Sequence, residues 1–138
     1  MLQLESRTFR AKGSQEEVFK VVSDLRELGK VLPPELMKNV ETNETECSFE
    51  YSGLGRIGLR ITEKTPFSHV TLSGTEDAAA KFALKIRLSP ISGDQTEVAF
   101  SLQAGLNALL EMMARKPLQD FLDMLADKME KQDFSNRT

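Results

Sequence analysis

Tryptophan is absent from this sequence, and cysteine, histidine and tyrosine occur once each. The single cysteine, Cys47, can form neither an internal disulfide nor a cysteine-based zinc site. That fits a reducing compartment and predicts a cytoplasmic protein. The single histidine, His69, leaves a serine or cysteine hydrolase with one choice of general base. No run of ~18 apolar residues exists, so no helix long and apolar enough to cross a membrane is expected. The opening Met1-Leu2-Gln3-Leu4-Glu5 lacks a basic stretch followed by an apolar core, so no secretory signal is expected there. Basic residues are not in excess: 18 face 21 acidic ones, for a net charge of -3. That argues against a dedicated nucleic-acid binder, whose affinity rests on neutralising phosphates. What remains is an ordinary globular composition over 138 residues, 40% hydrophobic and 28% charged. It suits one domain over 1–138 with a core spanning about 2–131.

The chain opens with a strand over 2–12 whose alternation is imperfect. Leu2 and Leu4 fall on one face, Phe9 and Ala11 on the other, which points to a bulge or a mixed edge. After Gly13, Ser14-Gln15-Glu16-Glu17 has the form of a capping box, followed by Val18, Val21, Val22 and Leu25 at helical spacing. This predicts a helix over 15–24. Asp24 can cap a second short helix over 25–32, which Pro33-Pro34 would end. From residue 40 the period becomes two. The apolar members of five successive strands are Cys47, Phe49 and Tyr51; Ile57, Leu59 and Ile61; Val70 and Leu72; Phe82, Leu84, Ile86 and Leu88; Val98, Phe100 and Leu102. One apolar and one polar face per strand is the mark of an antiparallel meander. Over 105–131 the period is helical again: Leu106, Leu109, Leu110, Met113, Leu118, Phe121, Leu122, Leu125 and Met129 form a stripe with one five-residue step. Pro117 falls within it, where a kink is expected. A ~27-residue helix is ~40 Å long, enough to cross a sheet. The tail from Gln132 to Thr138 is polar and is expected to fray.

A sheet with one apolar face needs a cover, and the last helix is the one element large enough. The fold class is therefore α+β: a curved antiparallel sheet of about six strands wrapped around a long C-terminal helix, with two short helices after the first strand. Phe9-Arg10-Ala11-Lys12-Gly13-Ser14-Gln15-Glu16-Glu17-Val18-Phe19, Leu32-Pro33-Pro34 and Gln103-Ala104-Gly105-Leu106 punctuate the elements in this order. On these segments the chain resembles the START/Bet v 1-like superfamily, also called SRPBCC or helix-grip, and within it the small bacterial CoxG-like and polyketide cyclase/lipid-transport-like proteins. The likeness covers roughly residues 4–131. The chain departs from many of those relatives in carrying Phe19 where they have a tryptophan on the first helix. The resemblance implies binding of a small hydrophobic or lipid-like ligand in a cavity between sheet and helix.

Few residues offer chemistry. Gly53-Leu54-Gly55-Arg56-Ile57-Gly58 matches a dinucleotide fingerprint but lies between two strand patterns, so it reads as a hairpin turn. His69 should point outward beside Val70 and has no catalytic partner in its sequence neighbourhood; Cys47 should face inward as a small hydrophobe. Glu41, Glu44 and Glu46 read as a solvated acidic connection rather than a metal site. Asn43-Glu44-Thr45 and Asn136-Arg137-Thr138 match glycosylation sequons by chance in a protein without a secretory signal. The expected ligand-binding set is Phe49, Tyr51, Leu59, Phe82, Phe100, Met113 and Phe121, with Tyr51 orienting a polar end, no catalytic residue, no metal and no cofactor. Methionines 112, 113, 124 and 129 suit either an adaptable pocket or core packing. Two other outcomes stand beside ligand binding: a filled core acting through protein contact, as a homodimer or adaptor, and a cyclase-like enzyme. The second would need convergent polar groups, and the inner faces supply only Tyr51 and Cys47.

Overall fold

The computed structural model describes residues 2–30, 37–51, 55–74 and 81–134. Pro33-Pro34, Gly53-Leu54, Ala78-Ala79-Ala80 and the last four residues lie outside that set, as does the side chain of Tyr51. In chain order the elements are β1 (Leu2–Glu5), β2 (Phe9–Lys12), α1 (Gln15–Val22), α2 (Leu25–Gly29), β3 (Met37–Thr42), β4 (Glu46–Tyr51), β5 (Gly55–Thr65), β6 (His69–Gly74), β7 (Phe82–Ser92), β8 (Gln95–Ala104) and α3 (Ala108–Lys131). All the strand pairs are antiparallel, in the order β1-β8-β7-β6-β5-β4-β3, with β2 also paired to β8. The meander and its covering helix are as expected. The sheet has eight strands rather than about six.

Both additional strands have a local cause. The opening strand splits in two because Glu5 pairs with Ser101 while Phe9 pairs with Val98, so β1–β2 spends one residue more than β8 over the interval. The extra residue is a bulge, and it reverses the alternation. Leu2, Leu4, Phe9 and Ala11 are consequently all buried, although their numbering puts them on opposite faces. Ser6 holds the bulge: its hydroxyl accepts from the Phe100 amide at 3.0 Å. The second addition, β3, is an exposed edge strand without useful alternation. It is interrupted at Asn39, whose φ of 52° is left-handed and whose side-chain amide donates to Glu50 at 2.9 Å. Such an irregular edge is poorly suited to pairing with another chain.

Capping chemistry sets the helix starts. The Ser14 hydroxyl accepts from the Glu17 amide at 3.1 Å, and the Glu17 carboxylate accepts from the Ser14 amide at 2.9 Å. Asp24 accepts from the Arg26 amide at 3.0 Å and caps α2. Asn107 accepts from the Leu110 amide at 3.0 Å, so α3 starts at Ala108 rather than near 105. The helix runs through Pro117 to Lys131. The chain beyond it is not frayed at its start: Phe134 is buried and Asp133 bridges to Lys12.

The sheet has two unlike ends. At one, the segment bearing α1 and α2 is bonded to three strand-connecting turns: Gly13 N–H donates to Asp94 O at 2.8 Å, the Gln15 amide to Phe67 O at 2.6 Å, and Leu25 N–H to Glu44 O at 3.0 Å. This end is closed by Val18, Val21, Val22, Leu25 and Leu28, all buried. At the other end lie Tyr51, Gly55, Gly74, Phe82 and Ala104, together with the start of α3. The helix therefore runs from this end toward the one that α1 and α2 close.

Candidate functional site

The inner face of the sheet meets α3 in two different ways along the helix. Toward its C-terminus, Phe121, Leu122, Leu125, Ala126 and Met129 are buried. Phe121 stacks on Phe49 of β4, with ring centroids 6.4 Å apart and planes inclined by 22°. Phe100 lies deeper, against Phe9, at 5.6 Å. This half of the helix is core.

The first half is different, and it corrects the expected inward set. Leu109, Leu110 and Met113 are 67%, 44% and 65% exposed, and Met112 is 79% exposed. The cause is the five-residue step from Met113 to Leu118. At ~100° per residue that step turns the apolar stripe by ~140°, so its two halves lie on different sides of the helix. Once the C-terminal half is buried, the N-terminal half has to face outward. The residues of the first half that turn toward the sheet are Ala114, buried, with Glu111 and Leu118, half-buried. Met113 does not line the interior.

The inner face of the sheet also carries small side chains. Strand register brings Cys47 beside Leu59, Leu59 beside Gly74, and Phe82 beside Ala104. Glycine, alanine and cysteine thus alternate with one leucine and one phenylalanine along this row. Ile57, Ile61, Phe82, Leu106 and Leu118 are only partly buried, whereas Cys47, Leu59 and Ala104 of the row are buried. Of the expected set, the structure places Phe49, Leu59, Phe100 and Phe121 in the interior, with Phe82 partly buried against it. The side chain of Tyr51 is outside the described residues, though its backbone pairs with Met37 and Gly55 at the open end. Gly74, Ala104, Glu111 and Ala114 were not singled out by sequence. Small residues leave no periodic signal, and a glutamate in a helix reads as surface.

The remaining candidates sit elsewhere. Cys47 is buried, and burial pushes its thiol up to about 11, so it is a protonated hydrophobe at neutral pH. His69 is on the outer side of β6. It does have a carboxylate neighbour, Glu63 at 2.5 Å, which the bulge between Ile61 and Glu63 brings alongside. The pair lies by the β5–β6 turn, far from the open end. Glu41 and Glu46 belong to strands, and Glu41 pairs with Arg56 at 3.2 Å. No group of three potential metal-binding side chains converges among the described residues. Gly55 and Gly58 lie in β5, paired antiparallel with β4, and open no helix; Gly53 lies outside the described residues. The described part of the protein contains no helix long and apolar enough to cross a membrane.

Comparison with solved structures decides the fold type. A START superfamily protein from Mycobacterium smegmatis superposes with a TM-score of 0.66 over 93% of this chain and 94% of its own, at 14% identity. The Zhui aromatase/cyclase from Streptomyces sp. R1128 gives 0.67 over 97% and 92%, at 13% identity. This is the helix-grip fold of START and Bet v 1-like proteins. A protein from Chromobacterium violaceum shares the helix-grip arrangement with a TM-score of 0.61 over 95% and 98% of the two chains, at 20% identity. No protein-family profile matches the chain, and no curated protein matches it in sequence.

Proposed function

We propose that this helix-grip protein binds a small hydrophobic or lipid-like molecule between the open end of its sheet and the first half of α3. One observation carries the reading. Toward this end of the inner face the sheet carries the small residues Gly74 and Ala104, α3 turns Ala114 inward, and Ile57, Phe82, Leu106 and Leu118 stop short of full burial. Elsewhere the same two surfaces meet through phenylalanines and leucines that are sealed from water. Space bounded by apolar groups and opening at one end is what a hydrophobic ligand requires. Phe49, Leu59, Phe82 and Phe121 would supply the apolar walls and Phe100 the floor. Tyr51, two residues after Phe49 on β4, is the proposed anchor for a polar end. Micromolar binding needs ~8 kcal/mol net, so at ~25 cal/mol per Å² a ligand has to bury more than ~330 Å² of apolar surface to offset the costs of association as well. The START superfamily protein and the aromatase/cyclase support the reading through their shared architecture alone. The buried unpaired thiol of Cys47 suits a cytoplasmic setting.

Titration with an anilinonaphthalene sulfonate probe, followed by displacement with a fatty acid, tests the proposal. Saturable binding by the native protein is expected, and Leu59→Trp or Phe82→Trp should abolish it with the circular dichroism spectrum unchanged. A native protein that binds neither probe nor fatty acid would overturn the reading in favour of a filled core.

A further inference from the structure

We propose that the outward face of the first half of α3 docks on an anionic lipid surface. Leu109, Leu110, Met112 and Met113 stand 67%, 44%, 79% and 65% exposed within less than two turns. Among the described residues, the other large exposed apolar side chains, Val40, Phe67 and Ile91, are isolated in the chain. Single exposed apolar side chains are ordinary, whereas a contiguous group is a contact surface.

Charge and area identify the occupant. Met112 and Met113 are followed by Arg115 and Lys116, both exposed; Lys116 lies one turn beyond Met112 and continues the same face. Lys81 is exposed where its carbonyl accepts from the Gly105 amide at 2.7 Å, just ahead of the helix. The half-buried Glu111 turns toward the sheet, and the first carboxylate on the outward face, Asp120, is held by Lys116 at 3.7 Å. Further along, the helix becomes acidic through Asp123, Asp127 and Glu130. The positive end of the helix dipole adds to the same local sign. A protein of net charge -3 thus shows cations around its one described cluster of exposed leucine and methionine. Flexible apolar side chains bordered by Lys and Arg suit the headgroup boundary of an anionic bilayer. A second copy of the chain fits less well. Four side chains offer a few hundred Å², against the ~800 Å² per partner of a stable interface. The proposal does not depend on the ligand-binding reading, because Leu109, Met112 and Met113 face away from the sheet.

Flotation of the full chain with phosphatidylglycerol–phosphatidylcholine vesicles, and with phosphatidylcholine alone, tests it. Binding to the anionic vesicles is expected, weakening as salt is raised. R115E/K116E should lower it by about twenty-fivefold or more, taking two basic side chains at about fivefold each. M112S/M113S should lower it without changing the circular dichroism spectrum or the binding of the anilinonaphthalene sulfonate probe. No binding to anionic vesicles at low salt, or binding that survives both double substitutions, overturns the proposal. So does a reversible dimer in sedimentation equilibrium that M112S/M113S dissociates, since a second copy would then cover the face.

Discussion

Leu109 and Leu122 make a paired test of how α3 is seated. Both are leucines on one helix and on one apparent stripe, yet Leu122 is fully buried and Leu109 is 67% exposed. Leu122→Ala removes apolar atoms that pack between sheet and helix. Truncating such a leucine costs the transfer free energy plus the cavity left behind, ~2–5 kcal/mol. Leu109→Ala leaves no cavity and replaces leucine by a slightly better helix former, so its cost should stay within ~0.5 kcal/mol. Urea unfolding followed by far-ultraviolet circular dichroism separates the two. With a slope of ~2 kcal/mol per molar, a loss of ~3 kcal/mol moves the midpoint down by ~1.5 M, whereas the Leu109 variant should superpose on the parent protein. Equal losses would refute the reasoning, because they would mean that the five-residue step does not rotate the apolar stripe out of the core. A loss below ~1 kcal/mol for Leu122→Ala would refute the placement of the helix itself.

Two pH-linked predictions follow from single groups. Burial raises the Cys47 thiol to about 11. Its contribution to stability is fully present below the ordinary thiol value of ~8.5 and is lost as the pH rises from there through about 11. Cys47→Ala should therefore flatten the alkaline limb of a stability profile, and the native thiol should resist a disulfide reagent at pH 8 until the protein is unfolded. At the other extreme, the Arg26 guanidinium holds the Asp24 carboxyl below its ordinary value. The depressed pKa gives stability that is present above ~4 and is lost as the pH falls further, so Asp24→Asn should make the acid limb of urea unfolding shallower.

The binding reading and the docking proposal place two different apolar surfaces on the same half of α3, one turned to the sheet and one to solvent. Helical geometry accounts for both. The inward side carries Ala114 and Leu118, while the outward side carries Leu109, Met112 and Met113. A substitution in one group should leave the other's function intact, which makes the two readings separable by experiment.

Strand and helix periods were legible in the residues themselves. Alternation of Cys47 and Phe49, Ile57 and Leu59, or Leu84 and Ile86 with polar neighbours demands a one-sided sheet, since only a pleated strand turns alternate side chains to opposite faces. Ser14 with Glu17 announces a helix start because each can satisfy a backbone amide that the first turn leaves open. Where a period is broken, the chain alone cannot say which part follows the core. The extra residue between Glu5 and Phe9 becomes a bulge only because β8 pairs with both flanking strands. The step from Met113 to Leu118 exposes the first half of the stripe only because Phe121, Leu122 and Leu125 are already committed to the sheet. Small residues depend still more on context: strand register turns Gly74 and Ala104 to the inner face and helix rotation buries Ala114, and no local pattern encodes either placement.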